Sequence, residues 1–385
     1  MKLAELAGRL RRLNFSFKRV PKADVVIIDS DTSEWLSQYF PKSKVLIVEI
    51  DSGYRYFWPL ITCLLSGQTK IDSYIARVIN RSGSSLAISM QDNFLPLFKL
   101  KRQLIRAKTV LIQNGHRTAH RDLFDQDRMP DRKKMKVDCF MCFNDAVGNQ
   151  VVELTGSRVL TIGSFRSNHV SKWAAQSKVL SYVSTYNPEV ALDFIFRTRE
   201  EVAVATYKSV LDHRMMILQS VVQFCKLHGM TLQILGKRSC ESAKLEEEYY
   251  RELLSGMNFT YLSRTRPEDN YQRTDASWIT VSTSSTLGYE SLGRGNRTAL
   301  LQSDSHLLGD SSLAIGWPTK LPQEGPFWST SCTPARIAEV LNFLNSSTNK
   351  EWATSRQLVL KAIPEFDSGN VRFVEYLKEF GARSI

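Results

Sequence analysis

The feature that most constrains this chain is a repeated alternation of short, β-branched apolar runs with longer stretches of helical spacing. In the first half the apolar runs are residues 24–28, 44–50, 85–89, 109–113, 137–143 and 158–162. Runs of this length and composition are typical of buried parallel strands. Strands that alternate with helices produce a doubly wound sheet, so the sequence predicts an α/β fold.

A second series of the same kind follows a polar connector at residues 164–178. Its predicted strands are 179–184, 231–235, 259–262, 277–282 and 298–301. A long helix is predicted between the first two, with Gly229 at its C-terminal cap and apolar residues at helical spacing: Leu211, Met215, Leu218, Val222 and Cys225.

Two series of similar length predict two Rossmann-like domains facing a cleft. We place the domains at residues 1–170 and 171–365, and expect a C-terminal helix at 366–385 to pack on the first domain. Periplasmic binding proteins and several kinases share this rhythm, so the pattern alone leaves them open.

The positive charge is concentrated in the predicted first domain. Residues 1–170 hold 27 Lys+Arg against 16 Asp+Glu, whereas residues 171–385 hold 24 against 23. A basic domain favours an anionic partner, namely an acidic membrane face, an anionic glycan or nucleic acid. A merely soluble charged surface is the alternative. We expect no nucleic acid, because the chain has no module that combines aromatic and basic residues.

The apolar runs and cysteines bear on location. The run at 57–65 is too short to span a bilayer, and the first residues lack the apolar core of a secretory signal. We therefore expect a cytoplasmic protein, associated with the inner face of the plasma membrane. Cys139 and Cys142 form a lone C-x-x-C in an apolar run, which predicts buried thiols rather than a zinc site.

The most informative motif is a run of five hydroxyl residues, 282–286, between a predicted strand and a helix predicted over 287–292. Helix starts bind anions through free N–H groups and the helix dipole. Gly288 permits close approach of a ligand or a neighbouring chain, and Glu290 is a candidate for ribose hydroxyls. Simple N-capping by one serine is the alternative. We expect phosphate contacts from Ser284, Ser285 and Thr286.

Two further motifs follow predicted strands of the first domain. In the segment 112–118, His116 is a candidate general base and Arg117 a candidate partner for a carboxylate or phosphate. In the segment 89–94, Asp92 is an alternative base, or a residue that orients His116 or Arg117. Asx or Asn-Gly turns are the structural alternatives. We expect the acceptor to contact Asn93, Gln113, Asn114 and Gly115.

Weaker signals complete the pattern. Gly236 and Lys237 follow the strand at 231–235 and are candidates for the donor phosphate. The acidic run 246–248 is predicted to be a solvated helix surface. The Asp-x-Asp pairs at 29–31 and 125–127 lack supporting context, so no metal is expected. The sequence contains no Walker A or G-x-G-x-x-G motif, which argues against P-loop ATPases and dehydrogenases.

Together, four of these segments resemble the bacterial surface-carbohydrate and O-antigen biosynthesis proteins of GT-B glycosyltransferase type. They are Asp92-Asn93-Phe94, Ile112-Gln-Asn-Gly-His-Arg117, Gly163-Ser-Phe-Arg-Ser-Asn168 and Ser285-Thr-Leu-Gly-Tyr-Glu-Ser-Leu-Gly-Arg-Gly295. The wider group includes glycerophosphotransferases and the Kdo and sialic acid transferases. The pair Ser284-Ser285 is similar to the paired serines that contact the donor phosphate in CMP-sialic acid users, but their His-Pro dipeptide is absent here.

The resemblance implies a glycosyltransferase whose second domain binds a nucleotide-sugar co-substrate and whose first domain binds the acceptor, with no other cofactor. The serine pair makes a CMP-linked sugar one candidate donor. It implies a surface polysaccharide or O-antigen acceptor, which is anionic or lipid-linked. Two alternatives remain: transfer of a polyol phosphate from a CDP-linked donor, and non-catalytic binding of a nucleotide or glycan.

Overall fold

The structure is a computed structural model that describes residues 14–50, 54–119, 123–124, 135–174, 176–186, 201–238 and 241–379. The described residues group into two compact units. The first lies within Met1–Asn114, Ala119–Phe165 and Asn370–Ile385, and the second within Gly115–Thr118 and Arg166–Gly369. The chain thus changes unit between Phe165 and Arg166, in the polar connector.

The first unit is built on a parallel sheet of six strands among its described residues, in the order β3-β2-β5-β6-β7-β8. These strands are β2 (Val25–Ile28), β3 (Val45–Val48), β5 (Leu86–Ser89), β6 (Lys108–Ile112), β7 (Cys139–Cys142) and β8 (Arg158–Thr161). Every residue of β2, β5 and β7 is buried, as expected for strands covered on both faces. A separate parallel pair joins β1 (Asn14–Ser16) and β4 (Tyr54–Tyr56).

The second unit is built on a seven-stranded sheet in the part of the chain that the structure describes, in the order β11-β10-β9-β12-β13-β15-β14. Its strands are β9 (Gln176–Val183), β10 (Thr231–Leu235), β11 (Thr260–Leu262), β12 (Ser277–Ser282), β13 (Thr298–Leu301), β14 (Glu324–Gly325) and β15 (Trp328–Ser329). All neighbours are parallel except β14 and β15 at one edge.

Helices connect and cover the strands. The α-helices are α1 (Ser30–Leu36), α2 (Phe57–Leu65), α3 (Ile71–Ser82), α4 (Asp145–Thr155), α5 (Phe165–His169), α6 (Glu201–His228), α7 (Glu241–Leu253), α8 (Asp269–Ala276), α9 (Thr286–Gly293), α10 (Asp304–Leu307), α11 (Pro334–Ser346), α12 (Asn349–Arg356) and α13 (Val371–Lys378). Short 3-10 helices lie at Ser37–Tyr39, Leu95–Arg102, Ser311–Leu313 and Gln357–Ala362.

The predicted α/β class with two Rossmann-like parallel sheets is confirmed. The long predicted helix is α6, and Gly229 follows it with a φ of 62°, the left-handed value that suits glycine at a helix end. The helix α13 groups with the first unit, where Arg158 and Glu379 form an exposed ion pair of 3.0 Å. The last part of the predicted C-terminal helix, residues 380–385, lies outside the described residues.

The predicted buried thiols are also confirmed for the C-x-x-C pair. Cys139 and Cys142 lie on β7 as free, fully buried cysteines. Burial raises the pKa of each thiol to about 11, because a thiolate would lose its hydration there. Neither cysteine is therefore a reactive nucleophile at neutral pH.

Candidate functional site

The polar residues of the second unit collect at one edge of its sheet. Because β9, β10, β11 and β12 are parallel, their carboxyl ends share that edge. Doubly wound sheets bind their ligands at this edge. The chain places there Ser184, the turn 236–238, the turn 263–265 and the hydroxyl run 282–286.

The five hydroxyl residues have distinct environments. Ser282 and Thr283 are buried, at 2% and 1% exposure. Ser285 is the N-cap of α9, and its Oγ accepts the Leu287 N–H at 3.3 Å. Ser284 is the exposed member of the run, and Thr286 is half-buried. N-capping thus accounts for one hydroxyl of the run and leaves Ser284 facing solvent.

Gly288 packs α9 against its own sheet. A Cβ atom at this position would lie 2.4 Å from the Cβ of Ser282 and 3.2 Å from Leu300. Such distances are too short for any side chain, so glycine is required for the helix to approach β12 and β13. The close approach predicted for Gly288 is therefore made by a neighbouring strand.

An arginine from a distant helix reaches the start of α9. The Nη2 atom of Arg214, on α6, donates to Asp304 at 2.7 Å and to the Oγ of Ser284 at 3.3 Å. The side chains of Arg214 and Asp304 are 23% and 12% exposed. Asp304 therefore holds a partly desolvated cation beside the one exposed serine of the run, where the helix dipole already favours an anion.

The turn after β10 is fixed by a buried carboxylate. Glu246, on α7, has no exposed surface, and it accepts the backbone N–H groups of Lys237 at 3.0 Å and Arg238 at 2.9 Å. It also accepts the hydroxyl groups of Ser184 and Tyr261. The prediction that 246–248 is a solvated surface is wrong for Glu246, because backbone N–H groups and hydroxyls from three strand ends converge on this carboxylate.

Gly236 and Lys237 lie at the start of that turn. A Cβ on Gly236 would lie 2.3 Å from the Tyr261 hydroxyl, so only glycine fits. The Lys237 side chain retains contact with solvent. Partial desolvation, and then the neighbouring Arg238, lowers the pKa of Lys237, although Glu246 opposes this shift. A lowered pKa beside other cations marks a position that an anion would stabilise.

Glu290 lies on the buried side of α9. It is 5% exposed and accepts the hydroxyl of Tyr271 at 3.1 Å. Burial, and then the Glu290 charge, raises the pKa of Tyr271 well above its usual value. The expected contact of Glu290 with a ribose stays a prediction.

The far end of α9 is locked by a buried ion pair. Arg294 donates to Asp275 through Nε at 2.8 Å, and both side chains are fully buried. Arg294 also donates to the carbonyl oxygens of Ser167 and Val170. Two of the four segments that carry the family resemblance, 163–168 and 285–295, are thus joined by one guanidinium.

The segment 112–117 has two parts with different surroundings. Gln113 is buried, and its Oε1 accepts the Phe143 N–H at 2.8 Å. Asn114 donates its backbone N–H to Asp92, and its own Oδ1 is buried with no hydrogen-bond partner among the described residues. The following residues, Gly115–Thr118, group with the second unit.

His116 packs against the first turn of α9. Its backbone N–H donates to the Thr286 hydroxyl at 3.0 Å, and its ring stacks on Tyr289 with centroids 4.4 Å apart and planes 6° apart. The Cβ position of Gly115 is 3.4 Å from the same hydroxyl. Arg117 is buried, at 7% exposure. The structure thus brings His116 together with the hydroxyl run.

The predicted residues of the first unit lie at the carboxyl ends of β5 and β6. Asp92 has no exposed surface and accepts the Asn114 N–H at 3.2 Å, whereas Asn93 is exposed. Asp29, after β2, has a φ of 85° and accepts the Gln91 amide at 2.9 Å. The second Asp-x-Asp pair, at 125–127, lies outside the described residues.

Within the ranges the structure describes, no group of three or more His, Cys, Asp and Glu side chains is arranged to hold a metal ion. In the same ranges, no helix is both long enough and apolar enough to cross a membrane.

Several site residues escaped the sequence analysis. Arg214, Asp304 and Glu246 carry no motif, and each acts through a contact with residues far away in the chain. Tyr289 lies inside the recognised segment, but only the structure shows that it stacks on His116. Its own hydroxyl accepts the Gly316 N–H, and burial raises its pKa to about 12.

Solved structures of other proteins share this fold. The wall teichoic acid polymerase TagF, in a variant with CDPG, superposes with a TM-score of 0.50 at 12% identity, over 94% of this chain and 90% of TagF. MnaA of S. aureus with UDP superposes with a TM-score of 0.54 at 10% identity, over 92% and 96% of the two chains. At these identities the likeness shows the fold, and it confirms the predicted GT-B-like class. No curated protein sequence matches the chain.

A family model provides the identification. The model described as "putative O-antigen biosynthesis protein" matches residues 110–381, which is well over half of the chain. The match includes the segment 112–117, the buried link at Arg294 and the whole edge of the second sheet. The predicted resemblance is confirmed, and the chain belongs to this family of O-antigen biosynthesis proteins.

Proposed function

We propose that this chain transfers a sugar from a nucleotide-sugar donor to a surface polysaccharide or O-antigen acceptor. The observation that carries the proposal is the position of Arg214, which Asp304 holds against Ser284 at the start of α9. A guanidinium, an exposed hydroxyl and free N–H groups at a helix start form a set of donors suited to phosphate oxygens.

The donor phosphate would bind at Ser284, the N–H of Thr286 and Arg214. Ser285 would support the site by capping the helix, because its hydroxyl accepts the Leu287 N–H and its own N–H donates to the Ser282 Oγ at 3.3 Å. Gly236 and Lys237 would approach the donor from the neighbouring strand end. In this proposal Glu290 supports the helix through Tyr271 or meets the ribose after a rearrangement.

His116 would remove the proton from the acceptor hydroxyl. Its ring is half-buried and stacks on Tyr289 of α9, and imidazole is the most common general base in enzymes. Asp92 is fully buried and engaged with the Asn114 N–H, so it fits a positioning role better than that of a base. Arg117 would bind an anionic group of donor or acceptor.

The acceptor would contact the exposed Asn93 and the segment 113–115. The buried Oδ1 of Asn114 has no hydrogen-bond partner in the described part of the chain, so a hydroxyl of the acceptor would satisfy it. The acceptor would be anionic or lipid-linked. We propose that Arg214 and Lys237 neutralise the leaving phosphate without a metal ion, so activity should persist in a chelator.

One other donor and one other class of function are the alternatives. TagF was solved with CDPG and MnaA with UDP, and both share this fold. A CDP-linked polyol phosphate would use the same phosphate site. A non-catalytic binding protein would bind tightly without turnover, and His116→Ala would leave its binding unchanged.

A thermal-shift panel of CMP, CDP, UDP, GDP and dTDP tests the proposal. We expect one nucleotide to raise the melting temperature, and Ser284→Ala to remove most of that shift while leaving the melting temperature of the free protein unchanged. Ser285→Ala is the weaker test, because loss of an N-cap alone costs about 1 kcal/mol. A protein that no nucleotide stabilises, or a full response in Ser284→Ala, would contradict the donor site.

A further inference from the structure

The first unit presents an apolar surface that the donor site does not use. Its centre is α2, a nine-residue helix without a charged side chain. Leu65 is 83% exposed, Phe17 is 66% exposed and Trp58 is 50% exposed. Trp58 and Leu65 are seven residues apart and therefore lie on the same face of the helix. A single exposed leucine is common, whereas three large apolar side chains around one helix need an explanation.

Contacts hold the aromatic residues of this surface together. The Trp58 indole donates to the Phe17 carbonyl at 3.2 Å, and the ring of Phe17 lies 4.7 Å from that of Phe57. The aromatic residues are thus ordered by the fold and exposed by it.

The segments that build the patch are rich in cations. The two segments that build it, 14–22 and 54–83, contain seven Lys and Arg: Lys18, Arg19, Lys22, Arg55, Lys70, Arg77 and Arg81. Their one acidic residue, Asp72, is buried and accepts the Gln103 amide at 2.8 Å. Arg77 and Arg81 donate to Ser66 and Thr62 of the α2 region, which sets both guanidinium groups beside the apolar face.

We propose that this surface, which we call the α2 surface, docks the protein on an anionic lipid bilayer. Aromatic and aliphatic side chains enter the interfacial layer, and the lysines and arginines meet lipid phosphates. The helix is only about 13 Å long at 1.5 Å per residue, so it lies in the interface and does not span the bilayer.

The charge on the α2 surface selects this partner over others. A second copy of the chain would bring the same cations face to face, and like charges disfavour such a contact. Nucleic acid would attract the cations and would leave Leu65 and Trp58 exposed to water. A bilayer with acidic headgroups satisfies both the charges and the apolar side chains.

This inference rests on the proposed function in one respect, because a lipid-linked acceptor would be reached at a membrane surface. Vesicle binding requires no donor nucleotide, so the two proposals fail separately. Loss of nucleotide binding with intact vesicle binding would affect only the donor site, and the reverse result would affect only the α2 surface.

Co-sedimentation with vesicles tests the α2 surface in the full chain. We expect binding to vesicles of phosphatidylcholine mixed with phosphatidylglycerol, weak binding to phosphatidylcholine alone, and a fall in binding as salt increases. Each cation near the bilayer contributes roughly fivefold to partitioning, so Lys18→Glu with Arg19→Glu should weaken binding by about 25-fold or more.

Matched variants separate the surface from general effects. Leu65→Ser should weaken binding severalfold, whereas Leu227→Ser, at an equally exposed leucine of α6, should leave it unchanged. Lys226→Glu with Lys244→Glu is the charge control in the second unit. Unchanged melting temperatures would show that the variants fold.

Three results would overturn the proposal. The first is equal binding to neutral and anionic vesicles, and the second is an equal loss of binding in the control variants. The third is a dimer in light scattering that Leu65→Ser dissociates, because that result would assign the surface to a second copy.

Discussion

The carboxyl edges of the two sheets carry charges of opposite sign to those expected from the net charge of the two halves of the chain. The first half of the chain is strongly basic, yet its described sheet edge holds buried carboxylates, Asp29 and Asp92, bonded to amide N–H groups. The second half is nearly neutral, yet its edge holds Arg214, Lys237 and Arg238, which the carboxylates of Asp304 and Glu246 anchor beside hydroxyls. The net charge of a domain therefore says little about the sign of its ligand site.

The positive charge of the first unit lies partly elsewhere, around the α2 surface. Net charge acts on solubility and on encounters with large charged partners, whereas a binding edge depends on a few placed side chains. Buried polar groups hold both edges. The largest predicted effect comes from the buried ion pair of Arg294 and Asp275 at the other end of α9.

Removing the buried cation at the end of α9 should destabilise the second unit most. Arg294→Met leaves Asp275 as an uncompensated buried charge, and we expect a loss of about 3–5 kcal/mol in the free energy of unfolding. Chemical denaturation would measure it. The control is Arg251→Met, which breaks an exposed ion pair with Glu247 and should cost no more than about 1 kcal/mol. Equal losses of stability in the two variants would show that the Arg294–Asp275 pair contributes no more than an exposed ion pair.

At the first edge, the role of Asp92 can be separated from its charge. Asp92→Ala leaves the Asn114 N–H without its acceptor and should cost about 1–3 kcal/mol of stability. Asp92→Asn keeps an acceptor oxygen, so we expect stability and turnover close to those of the natural chain. If turnover is lost in Asp92→Asn while the melting temperature is unchanged, Asp92 is a base and the assignment to His116 is wrong.

At the second edge, Glu246 should act on donor binding through the turn it fixes. Glu246→Gln replaces one acceptor oxygen with an amide N–H that faces other donors. We expect KM for the donor to rise about tenfold, equivalent to about 1.4 kcal/mol, with a much smaller change in kcat. Steady-state kinetics would show this split. Glu248→Gln, two residues further on the exposed face of α7, is the matched control and should leave KM unchanged.

The smallest expected effect is on pH dependence. Desolvation lowers the pKa of Lys237, and the ammonium form is the one that attracts phosphate. Donor affinity should therefore be highest below this pKa and fall as pH rises through it, at a lower pH than for an ordinary lysine. In Lys237→Arg the fall in donor affinity over this pH range should be severalfold smaller, because arginine stays charged. An unchanged pH profile in Lys237→Arg would exclude Lys237 from the phosphate site.

The sequence predicted much of the fold, for a physical reason. Buried parallel strands require runs of β-branched apolar residues, and these runs can be read locally. The start of α9 was equally visible, because a hydroxyl run between a strand and a glycine-containing helix has a local signature. The contacts that shape the site were not visible, because they join distant residues. Arg214 is 70 positions from Ser284, and the His116 N–H is 170 positions from Thr286.

Glu246 shows why one prediction failed. An acidic run on a helix ordinarily faces solvent, and the two residues that follow Glu246 are at least partly exposed. Glu246 differs because α7 turns that position toward the ends of three strands, where backbone N–H groups and hydroxyls need an acceptor. Nothing in the composition of the run distinguishes its first residue from the others.

Calorimetric titration of the stabilising nucleotide into Arg214→Gln tests the central claim most directly, with Arg251→Gln as the matched control on an exposed helix face. A charge-assisted hydrogen bond contributes about 1.5–3 kcal/mol, so Arg214→Gln should bind at least tenfold more weakly and the control should bind normally. The melting temperature of Asp304→Asn reports whether the Arg214–Asp304 ion pair contributes to folding. Unchanged nucleotide affinity in a folded Arg214→Gln protein would contradict a phosphate site at the start of α9.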